Sequence, residues 1–222
     1  MRMRPHGLRL WAVAALALCS ALGAAAPSSA AAQARPCHAK HARIVKTAGH
    51  VRVFTIARHN SSGDRFRVTY ACLAPHGRIY RLDNPAPGSA PTFARRIVAR
   101  GAAVGWVLRT KVNGTANHDT ANSLELQSGR RRECSVSLQG GVGGYALDFA
   151  LGRAGAIVSI GQDASFHSHQ VQLRESSGPT TGCRTVATGT APSLNPGSLA
   201  VSADGRRFYW TGDGKSRFAD FR

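Results

Sequence analysis

The sequence predicts an all-β fold assembled from about four repeated units, and three observations support this. Gly49, Gly101, Gly155 and Gly205 recur at intervals of 52, 54 and 50 residues, and a period near 50 indicates a repeat architecture. Each glycine lies between two short apolar runs, as expected for the bend of a hairpin. No long stretch holds apolar residues at the 3.6-residue spacing of a helix.

The apolar residues on either side of each glycine repeat as well. Four residues before the glycines lie Val45, Ile97, Leu151 and Val201, and five residues after them lie Phe54, Trp106, Ile160 and Trp210. We predict that both positions face the core in every unit. Packing therefore explains Trp106 and Trp210 better than a stacking platform for bases or sugars does. Tyr209, which lies on the opposite face from Trp210, is the aromatic residue that we expect to be exposed.

Strand patterns divide the chain into units of about 42–84, 93–139, 144–189 and 197–222. The predicted strands after the first turn are 51–57, 67–73, 78–82, 95–100, 103–110, 123–127, 134–138, 144–151, 156–160, 170–175, 183–187, 198–202, 207–211 and 217–221. Four strands in about 45 to 50 residues is the size of a propeller blade. We therefore predict a β-propeller-like array of three full four-stranded blades plus a partial one. An open blade array and a two-sheet sandwich are the alternatives.

The last unit is predicted to lack one strand. The missing strand is expected to come from the segment around 43–46 or from another subunit. The second source predicts self-association through the edge of the last unit, because an unpaired strand edge is a template for pairing with another chain.

The N-terminal residues 1–34 have the pattern of a signal peptide. Arg2, Arg4 and Arg9 precede an apolar run at 10–18, and a stretch of small residues ends at Ala34. The apolar run is too short to favour a transmembrane anchor. We expect cleavage after Ala34, which leaves 35–222 as a single all-β domain, secreted or associated with the cell envelope, with no further membrane span.

Four cysteines remain after the predicted cleavage site. They are Cys37, Cys72, Cys134 and Cys183. An even number in an exported chain predicts two disulfides, for which three pairings exist. Cys134 and Cys183 are 49 residues apart and so occupy nearly the same position in successive units. We therefore predict a Cys134–Cys183 bond and, by elimination, a Cys37–Cys72 bond.

The segment Ser202–Trp210, with the sequence SADGRRFYW, resembles the Ser-x-Asp-Gly hairpin of TolB-type and WD40-like propeller repeats. The following Tyr209–Gly214 is similar to the carboxyl-terminal end of uncharacterised exported propeller-like proteins from high-GC bacteria. The first three hairpins keep only the glycine of this motif. The resemblance implies a propeller-like fold, and it implies no activity.

A large positive charge suggests an anionic partner. The chain has 29 basic and 11 acidic residues and a formal net charge of +18, and such an excess attracts polyanions. Arg130, Arg131 and Arg132, together with Arg206 and Arg207, are the predicted polyanion-binding residues. The predicted partner is an anionic cell-envelope polymer or another protein. The alternative is that a GC-rich genome raised the arginine content without a ligand.

The sequence patterns for metal binding and catalysis are weaker than the pattern for the fold. Asp163, His167 and His169 form a candidate metal cluster, but the set is incomplete and a solvated loop is the alternative. His118 and Asp119 lie in a polar stretch that we expect to be a loop, and no Gly-x-Ser-x-Gly motif is present. We predict no catalytic residue and no cofactor. The sequence therefore favours a secreted, non-enzymatic binding or scaffold module, and a propeller-fold hydrolase or lyase of unknown substrate is the alternative.

Overall fold

Fifteen β-strands and one short 3-10 turn form the regular structure of the described chain. The computed structural model describes residue 37 and the ranges 39–60, 62–83, 92–112, 116–135, 144–163, 170–177, 182–190 and 193–222. All of these residues belong to the unit Ala34–Arg222. The predicted all-β class is therefore confirmed.

The strands follow one another in four groups. Unit one contains β1 (Arg43–Ala48), β2 (Val51–His59), β3 (Arg65–Leu73) and β4 (Tyr80–Arg81). Unit two contains β5 (Phe93–Arg100), β6 (Ala103–Val112), β7 (Ala116–Glu125) and β8 (Arg131–Ser135). Unit three contains β9 (Gly144–Leu151), β10 (Ile157–Asp163), β11 (Gln170–Ser176) and β12 (Arg184–Thr190). Unit four contains β13 (Ala200–Val201), β14 (Arg207–Gly212) and β15 (Lys215–Asp220).

Each unit is an antiparallel meander in which every strand pairs with the strand that follows it. Unit one forms a four-stranded sheet and unit four a three-stranded sheet. Units two and three join into one eight-stranded sheet through a single parallel bridge between His118 and Gly144. The sequence-order pairing keeps nearly all strand contacts local to one unit, as a repeat architecture requires.

The four repeated glycines occupy equivalent turns. Gly49, Gly101, Gly155 and Gly205 each lie between the first and second strands of a unit, and their φ angles are +55°, +56°, +76° and +74°. A side chain makes this left-handed conformation costly, and glycine adopts it freely. Backbone geometry thus explains the glycine period that is visible in the sequence.

Three of the four hydrophobic clusters of the described chain lie between successive units. One cluster joins Val53 of unit one to Trp106 of unit two. A second joins Val107 of unit two to Phe149 of unit three, and a third joins Ile160 of unit three to Trp210 of unit four. A single twisted sheet has two faces to cover, so each unit depends on its neighbours for burial.

The two outer faces of the array differ. The free face of unit one carries Phe54, which packs with Cys37, Cys72 and the partly buried Ala39. The free face of unit four carries Tyr209 and Phe218, which are 36% and 60% exposed. Among the described residues, no apolar cluster joins unit four back to unit one.

Both predicted disulfides are confirmed. Cys37 bonds to Cys72 across 35 residues, and Cys134 bonds to Cys183 across 49 residues. The first ties the segment before β1 to β3 of unit one, and the second ties β8 of unit two to the residue preceding β12 of unit three. In the chain-entropy model, loops of this size stabilise the fold by about 4 kcal/mol each.

Three expectations about individual positions are wrong. Val45 is 48% exposed, because β1 is an edge strand whose residues are mostly open to solvent. The segment 43–46 belongs to β1 and pairs with β2, so it does not complete unit four. The stretch around His118 and Asp119 is part of β7 and not a loop, because Asp119 and its polar neighbours find buried partners there.

Gly205 carries a steric constraint that Gly49 lacks. A Cβ on Gly205 would approach the backbone nitrogen of Arg153 to 2.7 Å, whereas a Cβ on Gly49 meets nothing within 4 Å. The left-handed backbone destabilises both alanine variants by about 1–2 kcal/mol. We expect Gly205→Ala to cost at least about 1 kcal/mol more than Gly49→Ala, because it also forces two turns apart. Urea unfolding of the two variants measures the difference, and equal losses would contradict the tight packing of these turns.

Asp83 is a buried carboxylate that joins units one and two. Its oxygens accept the backbone N–H of Thr69 at 2.5 Å and of Ala94 at 3.3 Å. Burial is the largest influence and raises its pKa above 3.8. The folded state therefore holds a proton that the unfolded state releases, and stability falls as the pH rises from about 4 through the raised pKa.

Asp83→Asn removes this titration and retains one acceptor for Thr69. Above pH 4 we expect the free energy of unfolding of the wild type to fall by up to about 1.4 kcal/mol per pH unit more than that of Asp83→Asn does. Urea titrations of both proteins between pH 4 and pH 7 test this, and parallel pH profiles would exclude Asp83 as the titrating group.

Candidate functional site

The glycine turns of units two, three and four meet at one end of the array. The backbone N–H of Arg153 donates to the carbonyl of Gly205 at 2.8 Å, which joins the third turn to the fourth. The hydroxyl of Ser123 donates to the carbonyl of Gly155 at 2.5 Å. Arg100 donates to the carbonyls of Ser202 and Ala203 at 2.5 and 2.6 Å. These bonds fix the turns as one surface.

This surface contains a cleft of about 890 Å³ beside a recess of about 520 Å³. The two share a wall formed by Arg153, Ala154, Ala203 and Asp204, so they form a continuous groove. The cleft is lined by Arg132, Arg153, Arg206, Arg207, Tyr209 and Asp220, among others. Arginine is the most frequent charged residue in the lining of the cleft, which gives the cleft a positive character, whereas the recess is lined by Arg100 and Arg153 together with Glu125 and Asp204.

Arg132 lies in the wall of the cleft and is 4% exposed. Its guanidinium donates to the carbonyl of Ala154 at 2.6 Å and to that of Ser177 at 3.3 Å. Burial lowers its pKa, and the nearby charge of Arg130 lowers it further. No carboxylate of the described chain forms an ion pair with Arg132. Its positive charge is therefore solvated mainly by backbone carbonyls and faces an open groove.

The three predicted arginines of 130–132 lie in different environments. Arg131 packs over the ring of Trp106, with 5.1 Å between the guanidinium carbon and the ring centroid, and it donates to the carbonyl of Leu82 at 3.3 Å. Burial lowers the pKa of Arg131. Arg130 is exposed, and β8 begins at the next residue. The structure thus places Arg131 toward unit one, Arg132 in the cleft and Arg130 in solvent.

Arg206 and Arg207 also differ from each other. Arg207 forms an ion pair with Asp220 at 2.7 Å and lies 4.5 Å over the ring of Phe218. The hydrogen bond to Asp220 is the main reason that the pKa of Arg207 is raised. Arg206 is exposed and forms no ion pair with a described carboxylate. Of this predicted pair, Arg206 is the one without an ion-pair partner among the described carboxylates.

Arg153 is a cleft residue that the sequence pattern did not reveal. It is exposed, lies two residues before Gly155 and forms part of both halves of the groove. Its position could have been predicted, because the four glycine turns were expected to be equivalent. Charged residues next to these glycines, such as Arg153, would then be expected to lie on the same surface.

The two aspartates that line the cleft both have a lowered pKa. Asp204 accepts the Ser202 hydroxyl at 2.6 Å and the Arg206 N–H at 3.1 Å, and these bonds lower its pKa. The hydrogen bond from Arg207 lowers the pKa of Asp220. Hydrolysis by a carboxyl pair needs one acid with a raised pKa. Both groups are instead held in the ionised form.

A serine and a histidine lie close together at another place, between β7 and β8. Ser135 Oγ is 3.1 Å from Nε2 of His118. Asp119 faces elsewhere, since Arg109 donates to both of its oxygens at 2.7 and 2.8 Å and the N–H of Ala146 donates at 3.0 Å. Asp119 therefore does not orient His118, and the three residues do not form a catalytic triad.

The structure does not describe the side chains of the candidate metal ligands. His167, His169 and the side chain of Asp163 lie outside the described residues. In the part of the chain that is described, no group of three or more histidine, cysteine or carboxylate side chains is arranged to hold a metal ion.

Comparisons with protein-family models, with curated proteins and with solved structures give no match. Within the described ranges, no helix has the length and apolar content needed to cross a bilayer. Function is therefore inferred from the groove itself.

Arg132 and Arg206 should have different effects on stability. Arg132→Ala leaves two carbonyls in the cleft wall without their donor, and we expect a loss of about 2–3 kcal/mol in the free energy of unfolding. Arg206→Ala removes an exposed side chain and should change stability by less than about 0.5 kcal/mol. Chemical denaturation of both variants tests this, and a neutral Arg132→Ala would contradict the structural role of that guanidinium.

Proposed function

We propose that the protein is a secreted, non-enzymatic binding or scaffold module that holds anionic groups of a cell-envelope polymer in the groove at its turn surface. The observation that carries this proposal is the position of Arg153 and Arg206. Both are exposed, both line the cleft, and neither is paired with a described carboxylate. Guanidinium groups bind carboxylate and phosphate through paired hydrogen bonds.

The shape of the groove favours a polymer over a small anion. The groove extends from Tyr209 and Arg206 in the cleft, past Arg153, to Gly101 in the adjoining recess. Successive anionic groups of one chain would contact successive cations along this path. Tyr209 is 36% exposed and lies in the cleft, where its ring offers a face for a sugar ring between charged groups.

Location outside the cytoplasm is supported by two features. The N-terminal residues have the composition of an export signal, and the chain contains two disulfides, which persist in oxidising compartments. For the fold, we propose a propeller-like array in its open form. The support for this is the succession of four meanders that share their cores with sequential neighbours.

Salt-dependent binding tests the proposed function. We expect the protein to bind immobilised polygalacturonate or polyphosphate at 50 mM salt and to lose most of this affinity at 300 mM, because binding releases counterions. Arg153→Ser/Arg206→Ser should weaken binding at least tenfold at 50 mM and reduce the slope of log K against log salt by about 1–2. Comparing the two polymers distinguishes carboxylate from phosphate as the preferred group.

The matched control is Arg58→Ser/Arg65→Ser. These two arginines are exposed and lie on β2 and β3 of unit one, so the variant has the same net charge as the groove variant. Equal loss of binding in both double variants would show that net charge alone attracts the polymer. Absence of binding at 50 mM salt would overturn the proposed function.

A further inference from the structure

No described strand pairs with the outer edge of β15. In the described chain β15 pairs with β14 alone, whereas the other three units each place a fourth strand on their meander. The pairing of β14 with β15 is regular from Arg207↔Asp220 to Gly212↔Lys215 and contains no bulge. A regular edge without a bulge is a template for another strand.

The register shows which backbone groups are free. The N–H of Phe221 donates to the carbonyl of Arg206 at 2.9 Å, so the odd-numbered residues of β15 direct their backbone groups toward β14. Because backbone direction alternates along an antiparallel strand, the N–H and C=O groups of Ser216, Phe218 and Asp220 point out of the sheet.

Phe218 makes this edge apolar as well as unpaired. It lies opposite Tyr209 with 6.3 Å between the ring centroids, and it is 60% exposed, the highest exposure among the large hydrophobic residues of the described chain. Natural sheet edges are commonly protected by charge, proline or a bulge. Here Arg207 lies over one face of the ring, 4.5 Å from its centroid, and Arg217 is engaged with Asp213 at 2.9 Å, so the ring stays 60% exposed at the edge.

We propose that β15 pairs in an antiparallel manner with β15 of a second copy of the chain, about a two-fold axis at Phe218. In this register Phe218 lies opposite Phe218, and Ser216 of each copy lies opposite Asp220 of the other. The three outward-facing residues then exchange about six backbone hydrogen bonds. The two Tyr209–Phe218 pairs become one row of four aromatic rings across the joined sheet.

Charge disfavours the neighbouring register that is centred on Arg217. A two-fold axis at Arg217 would also match outward-facing groups, but it would place Arg217 directly opposite Arg217, and like charges in that position are destabilising. With the axis at Phe218, Arg217 lies opposite Ala219, and a hydroxyl lies opposite a carboxylate. The edge is therefore complementary to itself, which is the property that an isologous interface requires. The dimer does not depend on the proposed polymer binding.

The first experiment measures self-association without any polyanion present. Sedimentation equilibrium of the wild type at 150 mM salt should show a monomer–dimer equilibrium with a dissociation constant in the micromolar range, since one strand pair is smaller than a standard interface of about 1,600 Å². Phe218→Lys should raise the dissociation constant at least tenfold. Phe66→Lys is the control, because Phe66 is 37% exposed on unit one and the substitution is the same.

Two further variants test folding and register. Ser216→Pro removes an outward N–H and leaves the β14–β15 bonds in place, so it should also abolish the dimer while retaining the wild-type circular dichroism spectrum. Phe218→Cys should give a disulfide-linked dimer, whereas Ser216→Cys should not. A monomeric wild type, equal effects of Phe218→Lys and Phe66→Lys, or cross-linking through Ser216→Cys would each overturn the proposed pairing.

Discussion

Hydrogen bonds from arginine side chains to backbone carbonyls of other units hold this array together. Arg96 of unit two donates to the carbonyl of Leu147 at 2.5 Å, and Arg174 of unit three donates to that of Ser135 at 2.5 Å. Arg100, Arg131 and Arg132 make the equivalent bonds to units four, one and three. The apolar clusters bring successive sheets together, and these directed bonds define how the turns align. The groove exists because the turns align.

The arginines of this chain thus fall into two sets with different surroundings. One set of arginines donates to backbone carbonyls of other units; of these Arg132 is buried, Arg100 and Arg174 are half-buried, and Arg96 and Arg131 are exposed. The other set, represented by Arg153 and Arg206, projects from the same turns into solvent. The arginines of the first set have specific backbone acceptors in other units, and Arg153 and Arg206 of the second set line the same cleft. A functional study has to separate the two sets, since replacing an arginine of the first set removes a hydrogen bond between units.

The sequence was informative where a local rule governs the backbone. The glycine period identified four left-handed turns, β9 was placed at its exact bounds, and the repeat spacing paired Cys134 with Cys183. The sequence was misleading where partners that are distant in the chain determine the conformation of a residue. Asp119 looks like a loop residue because nothing local satisfies its carboxylate, yet Arg109 and Ala146 do so within the sheet. The roles of Arg131 and Arg132 depend on neighbouring units and were likewise not visible in a local pattern.

The Cys134–Cys183 bond also has a mechanical consequence. A scaffold attached to a surface at one end and to a partner at the other is exposed to tension, and its sheets can separate under load. This bond joins units two and three, and its 49-residue loop corresponds to about 170 Å of extended chain that cannot be drawn out. Among the described residues, neither unit one nor unit four has a disulfide to another unit, since Cys37–Cys72 ties only the segment before β1 to β3. Under tension the array would therefore lengthen first at its two end units, while units two and three remain joined.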